Sequence, residues 1–282
     1  MTVQSLAPAE QSSIADDQAR IKAASARRRR REGMQVILIR VISLIVALTL
    51  WQIVGSNIDP ILFTTPIAVA KAAVQMIGSG ELWQYLAPSL LVFIYGLALA
   101  AVAGISMGLA LARYRTLDAA FDMYITFLYC TPTVALVPLI VLWAGYDMTA
   151  KVIILFLFAF FPLVINTYQG VKNVDPKLLE VGKAFRCSEW QLWRNIIIPA
   201  ALPFIVTGVR LAVGRGLIGM VLADLYTAIS GIGYLILRTA STFQIDRMFV
   251  PIVTLGILGV LSTALVRLLE KKVAPWTNAP RD

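Results

Sequence analysis

The chain has 282 residues, of which 59% are hydrophobic and 15% are charged, with a formal net charge of +9. The apolar residues form runs close to the ~20 residues that span a bilayer, which excludes an ordinary soluble domain. The basic residues lie at the ends of these runs without interleaved aromatic residues, which favours membrane lipid over nucleic acid as a partner. Because the chain has no histidine, we expect neither a metal site nor a catalytic site.

The amino-terminal segment, residues 1–33, is polar and ends in a run of five arginines, which predicts a basic cytoplasmic tail. The apolar run at 36–54 has 19 residues, and no small-residue cleavage site follows it. It therefore predicts a membrane anchor and not a removed signal peptide. Residues 277–282 are predicted to form a second short cytoplasmic tail.

Five further apolar runs predict an all-α integral membrane domain of about six transmembrane helices within residues 34–276. These runs are 89–112, 121–143, 152–168, 203–222 and 249–269, and segment 225–247 is predicted to be a loop. Lys and Arg concentrate in the amino-terminal tail and in alternate loops, so both termini are predicted to be cytoplasmic. The basic residues assigned to the opposite loops are Lys71, Lys151, Arg238 and Arg247.

Small residues recur at every fourth position in the second predicted span. They are Ala100, Gly104, Gly108 and Ala112. Residues at this spacing share one helix face, and small side chains let a second helix approach closely in lipid. We therefore expect close helix packing on this face.

The longest predicted cytoplasmic loop, 170–199, has helical signals. Asp175 followed by Pro176 favours a helix start, and this helix is expected to reach about Phe185. Ser188 followed by Gln191 fits a capping box that starts a second helix. The loop thus predicts a knuckle of two short helices and a tight turn, which can dock into a groove on another protein.

This loop resembles the "EAA" loop of ABC importer permeases, whose pattern is Glu-Ala-Ala, three residues, Gly, nine residues and Ile-x-Leu-Pro. Glu180 stands at the glutamate, and the segment ends in Ile196, Ile198 and Pro199. Arg186 stands at the family's glycine, so either the turn differs or the partner's groove supplies an acid. Further stretches resemble the sulfonate, nitrate and taurine branch of the family. They are 131–145, 161–167 and 231–234.

The resemblance implies a type I ABC importer permease fold in the bacterial inner membrane. Such a subunit forms the translocation path for a small, anionic solute that an extracytoplasmic binding protein delivers. A second permease copy, making a homodimer, and two separate ATPase subunits are implied, with ATP and Mg bound by the ATPase and no cofactor on this chain. The sequence has no P-loop. The residues expected at the ATPase contact are Glu180, Gly182, Ala184, Phe185, Arg186, Cys187, Ser188 and Trp190.

The ionisable residues in or bordering the fifth predicted span are Arg210, Arg215 and Asp224. Charge within a membrane favours a functional role, and a guanidinium suits a sulfonate or carboxylate, so Arg215 is hypothesised to lie near the translocation path. Alternatively, Arg215 pairs with Asp224, and Arg210 extends to the headgroups. By resemblance, Gly231, Gly233 and Tyr234 lie near an outer gate.

Two other classes of function compete with the importer subunit. An ion-coupled secondary transporter would work without an ATPase, and a membrane enzyme would need clustered catalytic groups, which the sequence does not offer. The long two-helix loop favours the ABC permease. The solute stays open among sulfonates, nitrate, taurine, bicarbonate, aromatic acids and thiamine precursors.

Overall fold

A computed structural model describes residues 34–273, and the chain divides into two compact units, Met1–Ile67 and Ala68–Asp282. The predicted tails, 1–33 and 277–282, lie outside the described residues. Within that described part, five helices are long and apolar enough to cross a membrane, and a bent helix pair is a sixth candidate span. This confirms an all-helical protein of about six spans.

The first unit contains α1, Met34–Ser56, which confirms the predicted anchor and extends it at both ends. The chain turns back beyond α1, and the indole N–H of Trp51 donates a hydrogen bond to the Thr64 carbonyl at 2.9 Å. A Cβ atom at Gly55 would lie 2.5 Å from the same carbonyl oxygen. Glycine therefore permits this close return of the chain.

The helices that follow confirm four more predicted spans, α3, α6, α9 and α11, and extend each of them. In chain order they are α2 (Pro66–Gly78), α3 (Glu81–Arg113), α4 (Arg115–Cys130), α5 (Thr133–Ala144), α6 (Met148–Lys172), α7 (Pro176–Ala184), α8 (Glu189–Leu192), α9 (Ile198–Thr227), α10 (Ile232–Ser241) and α11 (Ile245–Val273). Helix α2 had not been predicted. It has only 13 residues, so a search for apolar runs of about 20 residues does not find it.

The predicted span 121–143 is wrong as a single helix. Helices α4 and α5 replace it and meet at an angle of 96°. Pro132 lacks a backbone N–H, and its ring disfavours the helical conformation in the preceding residue, Thr131, which is extended at φ −70°, ψ 130°. The bend thus follows from the proline, which a hydropathy average does not register.

The predicted loop 225–247 is also wrong. Helix α9 continues to Thr227, and α10 occupies the middle of the segment. Helix α10 buries Ile232, Leu235 and Thr239, which lie on one face. Ten residues are too few to span a bilayer, so this amphipathic helix escapes a search for long apolar runs.

No break separates the knuckle from the fifth predicted span. Glu189–Thr227 is one helical segment of 39 residues, in which a π-helical turn, Trp193–Ile197, joins α8 to α9. Pro199, just beyond the turn, has no N–H to continue the α-helical ladder, and the wider turn precedes it directly. Helix α8 is therefore joined to α9 without a loop.

Helix α6 lies at the centre of the second unit, between α3 and α9. On the α3 side, Gly104 faces Leu163 and Gly108 faces Thr167, at a constant sequence offset that makes α3 and α6 parallel. A Cβ atom at Gly108 would lie 2.7 Å from both the Val164 carbonyl oxygen and Thr167 Cβ. The predicted close packing of the small-residue face is thereby confirmed, and Gly208 plays the same part between α9 and α6.

The substitution Gly108→Ala is expected to destabilise the protein by about 1–3 kcal/mol, because the added methyl group overlaps the α6 backbone. The measurement is the thermal unfolding midpoint of the purified permease in detergent. Gly256→Ala is the matched control, since no atom lies within 4 Å of its added Cβ. Equal midpoints for the two variants would contradict the packing argument.

Candidate functional site

The knuckle comprises residues 175–192. Its first helix, α7, has a defined cap at each end. The Asp175 carboxylate accepts a hydrogen bond from the Lys177 N–H at 2.9 Å, which confirms the predicted helix start. At the other end, the Cys187 N–H bonds to the Gly182 carbonyl at 3.0 Å and the Arg186 N–H to the Lys183 carbonyl at 2.9 Å. These two bonds form a Schellman motif, which ends α7 and reverses the chain.

Arg186 occupies the left-handed position of this motif, with φ at +51°. Of the two alternatives that the sequence left open, the turn therefore keeps the geometry that a glycine favours. The left-handed conformation costs a residue with a side chain about 1–2 kcal/mol. The Arg186 side chain is exposed in this turn.

The second knuckle helix begins with the predicted capping box. The Ser188 hydroxyl accepts from the Gln191 N–H at 3.3 Å, and the Ser188 N–H donates to the Gln191 side-chain oxygen at 2.8 Å. The two bonds satisfy the backbone N–H groups of Ser188 and Gln191, which have no partner within the helix. The tip of the knuckle is therefore rigid between α7 and α8.

Most of the residues expected at the ATPase contact lie on the surface of the knuckle. Phe185 is 80% exposed and Trp190 is 70% exposed, although large apolar side chains are usually covered. Gly182 is buried, because its Cβ would lie 2.6 Å from Leu192 Cδ1, so it joins the two helices from inside. Cys187 is half-buried, and the other exposed positions are Glu180, Ala184, Arg186 and Ser188.

Two ion pairs lie at the end of the helix bundle beside the knuckle. Arg113 at the end of α3 pairs with Glu189 at the start of α8. A cavity of about 390 Å³ lies beside this pair, with Trp190 and Trp193 in its lining. At the end of α6, Lys172 pairs with Asp118 of α4 at 3.1 Å. One ion pair thus joins the knuckle to α3, and the other joins α6 to α4 next to it.

Arg186→Gly and Ser188→Ala are expected to change the stability of the knuckle in opposite directions. Glycine relieves the left-handed strain of about 1 kcal/mol, whereas loss of the Ser188 hydroxyl removes a cap of about 1 kcal/mol. Hydrogen exchange of the amides in 178–192 measures both changes, with more protection for the first variant and less for the second. Changes of the same sign would show that the turn and cap have been misassigned.

The two arginines of α9 have different surroundings. Arg210 bonds through Nη2 to Glu270 Oε2 of α11 at 2.5 Å, so it joins two helices. Arg215 is exposed, and its Nη2 lies 3.3 Å from the Tyr129 hydroxyl of α4. The guanidinium carbon stands 5.1 Å from the centroid of the Tyr129 ring. Arg215 therefore keeps free donors on an open helix face.

Asp224 lies inside the bundle with no exposed surface, and its carboxylate does not pair with Arg215. Lys151 Nζ of α6 donates to Oδ1 at 2.8 Å, and Ser89 Oγ of α3 donates to Oδ2 at 2.5 Å. We call Ser89, Lys151 and Asp224 the polar node. The assignment of Lys151 to an exposed loop is therefore wrong, since this residue is 4% exposed and begins the second turn of α6.

The predicted gate residues lie directly against the polar node. A Cβ atom at Gly231, where φ is +104°, would overlap the Asp224 carboxylate. A Cβ at Gly233 would lie 2.7 Å from Asp224 Cβ. Tyr234 packs its ring against Tyr85 of α3, at 6.0 Å between centroids. The glycines thus allow the start of α10 to close over the buried carboxylate.

Ser89 and Lys151 were missed as site residues when only the sequence was considered. Lys151 lies at the edge of an apolar run, and such a residue is ordinarily assigned to the flanking loop. The usable signal was Asp224, an acid near the end of an apolar run that needs a buried partner. No sequence pattern pairs Lys151 with Asp224, because 73 residues separate them.

The membrane-length helices of the second unit pack around α6 and α9, and the capped two-helix knuckle connects these two helices. This arrangement is that of a membrane-spanning transport subunit. Residues 100–275 match the family described as "Binding-protein-dependent transport system inner membrane component". The chain belongs to this family and is a permease subunit of an ABC importer, a multi-pass inner-membrane protein. In this family the ATPase is a separate subunit, so the alternative of an ion-coupled carrier is not favoured.

Curated relatives align with most of the chain. A putative aliphatic sulfonates transport permease protein of Bacillus subtilis is 33% identical over 236 residues, covering 83% of this chain and 86% of the relative. The taurine transport system permease protein of Escherichia coli is 29% identical over 241 residues, covering 83% and 88%. A formylaminopyrimidine transport permease protein of Halalkalibacterium halodurans is 30% identical over 230 residues, covering 81% and 92%.

Solved structures share the fold. An amino acid ABC transporter crystallised with histidines aligns with a TM-score of 0.55 at 17% identity, over 71% of this chain and 97% of that one. The methionine ABC transporter MetNI in an inward-facing conformation aligns with a TM-score of 0.51 at 18% identity, over 68% and 95%. These likenesses confirm the predicted type I importer fold.

Proposed function

We propose that this permease imports a small anionic solute that carries a sulfonate or similar oxyanion group. Two of the relatives described above are named for aliphatic sulfonates and for taurine, which is itself a sulfonate. The observation that carries the proposal is the exposed guanidinium of Arg215, which keeps donors free on a face of α9. Planar bidentate donors suit the oxygens of such an anion.

The same face of α9 supports a pair of permease copies. Leu211, Gly214 and Ile218 share the exposed face with Arg215, and α4 beside it has no buried residue. An arginine that faced hydrocarbon there would be costly, because charge at the centre of a membrane helix costs about 2.5–3.5 kcal/mol or more. A second copy that covers this face would enclose Arg215 in a polar path, and identical copies would make a homodimer.

The knuckle is proposed to lie on the cytoplasmic side and to dock into a groove of the ATPase, with one ATPase for each permease copy. Phe185 and Trp190 supply the apolar anchors that concentrate binding energy in protein interfaces, and Glu180 and Arg186 supply charge around them. ATP and Mg would be bound by the ATPase alone. Residues 34–276 then form the permease domain around docking loop 170–199, with both tails, 1–33 and 277–282, in the cytoplasm and a binding protein on the opposite side.

Trp190→Ala and Phe185→Ala are each expected to weaken ATPase binding about tenfold or more, the usual effect at an aromatic anchor. Co-purification of the ATPase measures binding, and ATP-dependent uptake in proteoliposomes with the binding protein measures function. Lys177→Ala, at an exposed position in the first turn of α7, is the matched control and should leave both unchanged. Uptake by the permease without an ATPase would refute the proposed function.

Arg215→Met is expected to reduce sulfonate uptake about tenfold or more in the assembled complex, because it removes the charge-assisted hydrogen bonds. Arg215→Lys should retain part of the uptake, since the charge remains and the bidentate geometry is lost. Tyr129→Phe removes only the hydroxyl that holds the guanidinium and should have a smaller effect. Unchanged uptake and solute selectivity in a correctly assembled Arg215→Met complex would remove Arg215 from the path.

A further inference from the structure

The polar node lies outside the knuckle, and its Asp224 does not pair with Arg215. The side chains of Lys151 and Asp224 are 5% and 0% exposed, respectively. A buried ion pair is weak evidence for stability, because well-packed apolar residues often stabilise a protein equally well. Paired charges within membrane helices more often mark a functional element. The contacts of the node indicate what that element is.

Three hydrogen bonds of the node hold backbone groups at the start of α10. Lys151 Nζ donates to the Ser230 carbonyl at 2.6 Å. The Ile232 N–H donates to Ser89 Oγ at 2.7 Å, and the Gly233 N–H to Asp224 Oδ2 at 3.4 Å. The node thus fixes the connection from α9 to α10 onto α3 and α6. Two of the three bonds have a charged partner, Lys151 or Asp224, and such bonds are stronger than bonds between neutral groups.

The node lies at the end of the bundle away from the knuckle. Lys151 is near the start of α6, which ends beside the knuckle, and Asp224 is near the end of α9, which starts there. Twenty-five residues of α6 span about 37 Å. Helix α10 therefore rests on the bundle at the far end of the two helices that are joined to the knuckle.

A cavity of about 300 Å³ adjoins the node and is lined by Tyr146, Asp147, Lys151, Ile229 and Ser230, among others. Lys151 and two residues of the turn that it holds, Ile229 and Ser230, contribute to the lining. Water entering there can compete for the bonds to Ser230 once the turn begins to move.

We propose that the polar node is a latch that holds α10 and the preceding turn closed across the end of the permease away from the knuckle. Lys151 and Asp224 are then positioning residues, which act on transport through the placement of α10 and touch no solute. Release of the latch frees the turn at 228–231 and lets α10 swing from the bundle. The inference rests on the family membership of the chain and not on the proposed solute.

Thr239 provides a reporter for movement of α10. This residue is 4% exposed on the inner face of α10, and cysteine is close to threonine in size. The experiment uses Thr239→Cys together with Cys130→Ser and Cys187→Ser, so that the reporter is the only thiol in the chain. The permease with its ATPase is placed in lipid nanodiscs without nucleotide, and the rate of labelling by a maleimide is measured. Both faces are accessible in a nanodisc, so the result does not depend on the proposed membrane orientation.

Lys151→Met with Asp224→Asn removes both charges together, so that no buried charge is left unpaired. The asparagine oxygen can still accept from Ser89, which favours correct assembly. Labelling of the reporter is expected to accelerate about tenfold or more, as for the loss of one charge-assisted hydrogen bond. ATP hydrolysis without the binding protein is expected to rise as well, which a merely structural pair would not cause.

The matched control removes a different ion pair between the first turns of α3 and α11, using Glu81→Gln with Arg247→Gln. In this control, the reporter at position 239 should be labelled at the same rate as in the permease with an intact node. If the double node variant does not assemble, Ser89→Ala serves instead, because it deletes only the hydroxyl between Asp224 and the Ile232 N–H. An unchanged labelling rate, or an equal increase in the control, overturns the latch. If the permease with an intact node takes up no sulfonate, but the node variant shows the expected increase in labelling, only the proposed solute is overturned.

Discussion

Close contact between α6 and its neighbours is the constraint on which the rest of the structure depends. Lipid chains are as apolar as the helix surfaces, so helix association in a membrane relies on van der Waals packing more than on burial from water. Gly104 and Gly108 let α3 lie against one side of α6, and Gly208 brings α9 against the other. Because α6 leads into the knuckle and α9 continues from it, both sides of the knuckle are attached to one packed pair of helices.

The charges of the membrane helices fall into three physical situations. The pair of Lys151 and Asp224 is fully enclosed and bonds the backbone of a neighbouring segment. Arg210 joins α9 to α11 through Glu270. Arg215 rests on the ring of Tyr129, is exposed, and keeps part of its hydrogen-bonding capacity unused. Burial and partners, and not the presence of charge, therefore separate a residue that holds helices together from one that is suited to meet an anion.

Sequence reasoning succeeded where one local rule determines the outcome. The caps at Asp175 and Ser188 need only neighbouring residues, and the small-residue face of α3 follows from helical periodicity. It failed where tertiary contacts decide. Helix α10 is too short to be found as a span, and its buried face lies on the bundle. The bend at Pro132 is a different case, because the proline is a local signal that a hydropathy average does not register. The partners of Lys151 and Asp224 lie far apart in the chain, and only the fold brings them together.

The π-helical turn at Trp193–Ile197 has a geometric consequence for the helix beyond it. Such a turn contains one residue more than an α-helical turn, and each residue of an α-helix advances the direction of its side chain by about 100°. Shifting that extra residue out of the turn would rotate α9 about its own axis relative to α8 by roughly this angle. Arg215 lies 18 positions beyond the end of the turn and would rotate with α9. A shift of one residue at the knuckle would therefore turn the Arg215 side chain from one neighbouring surface towards another.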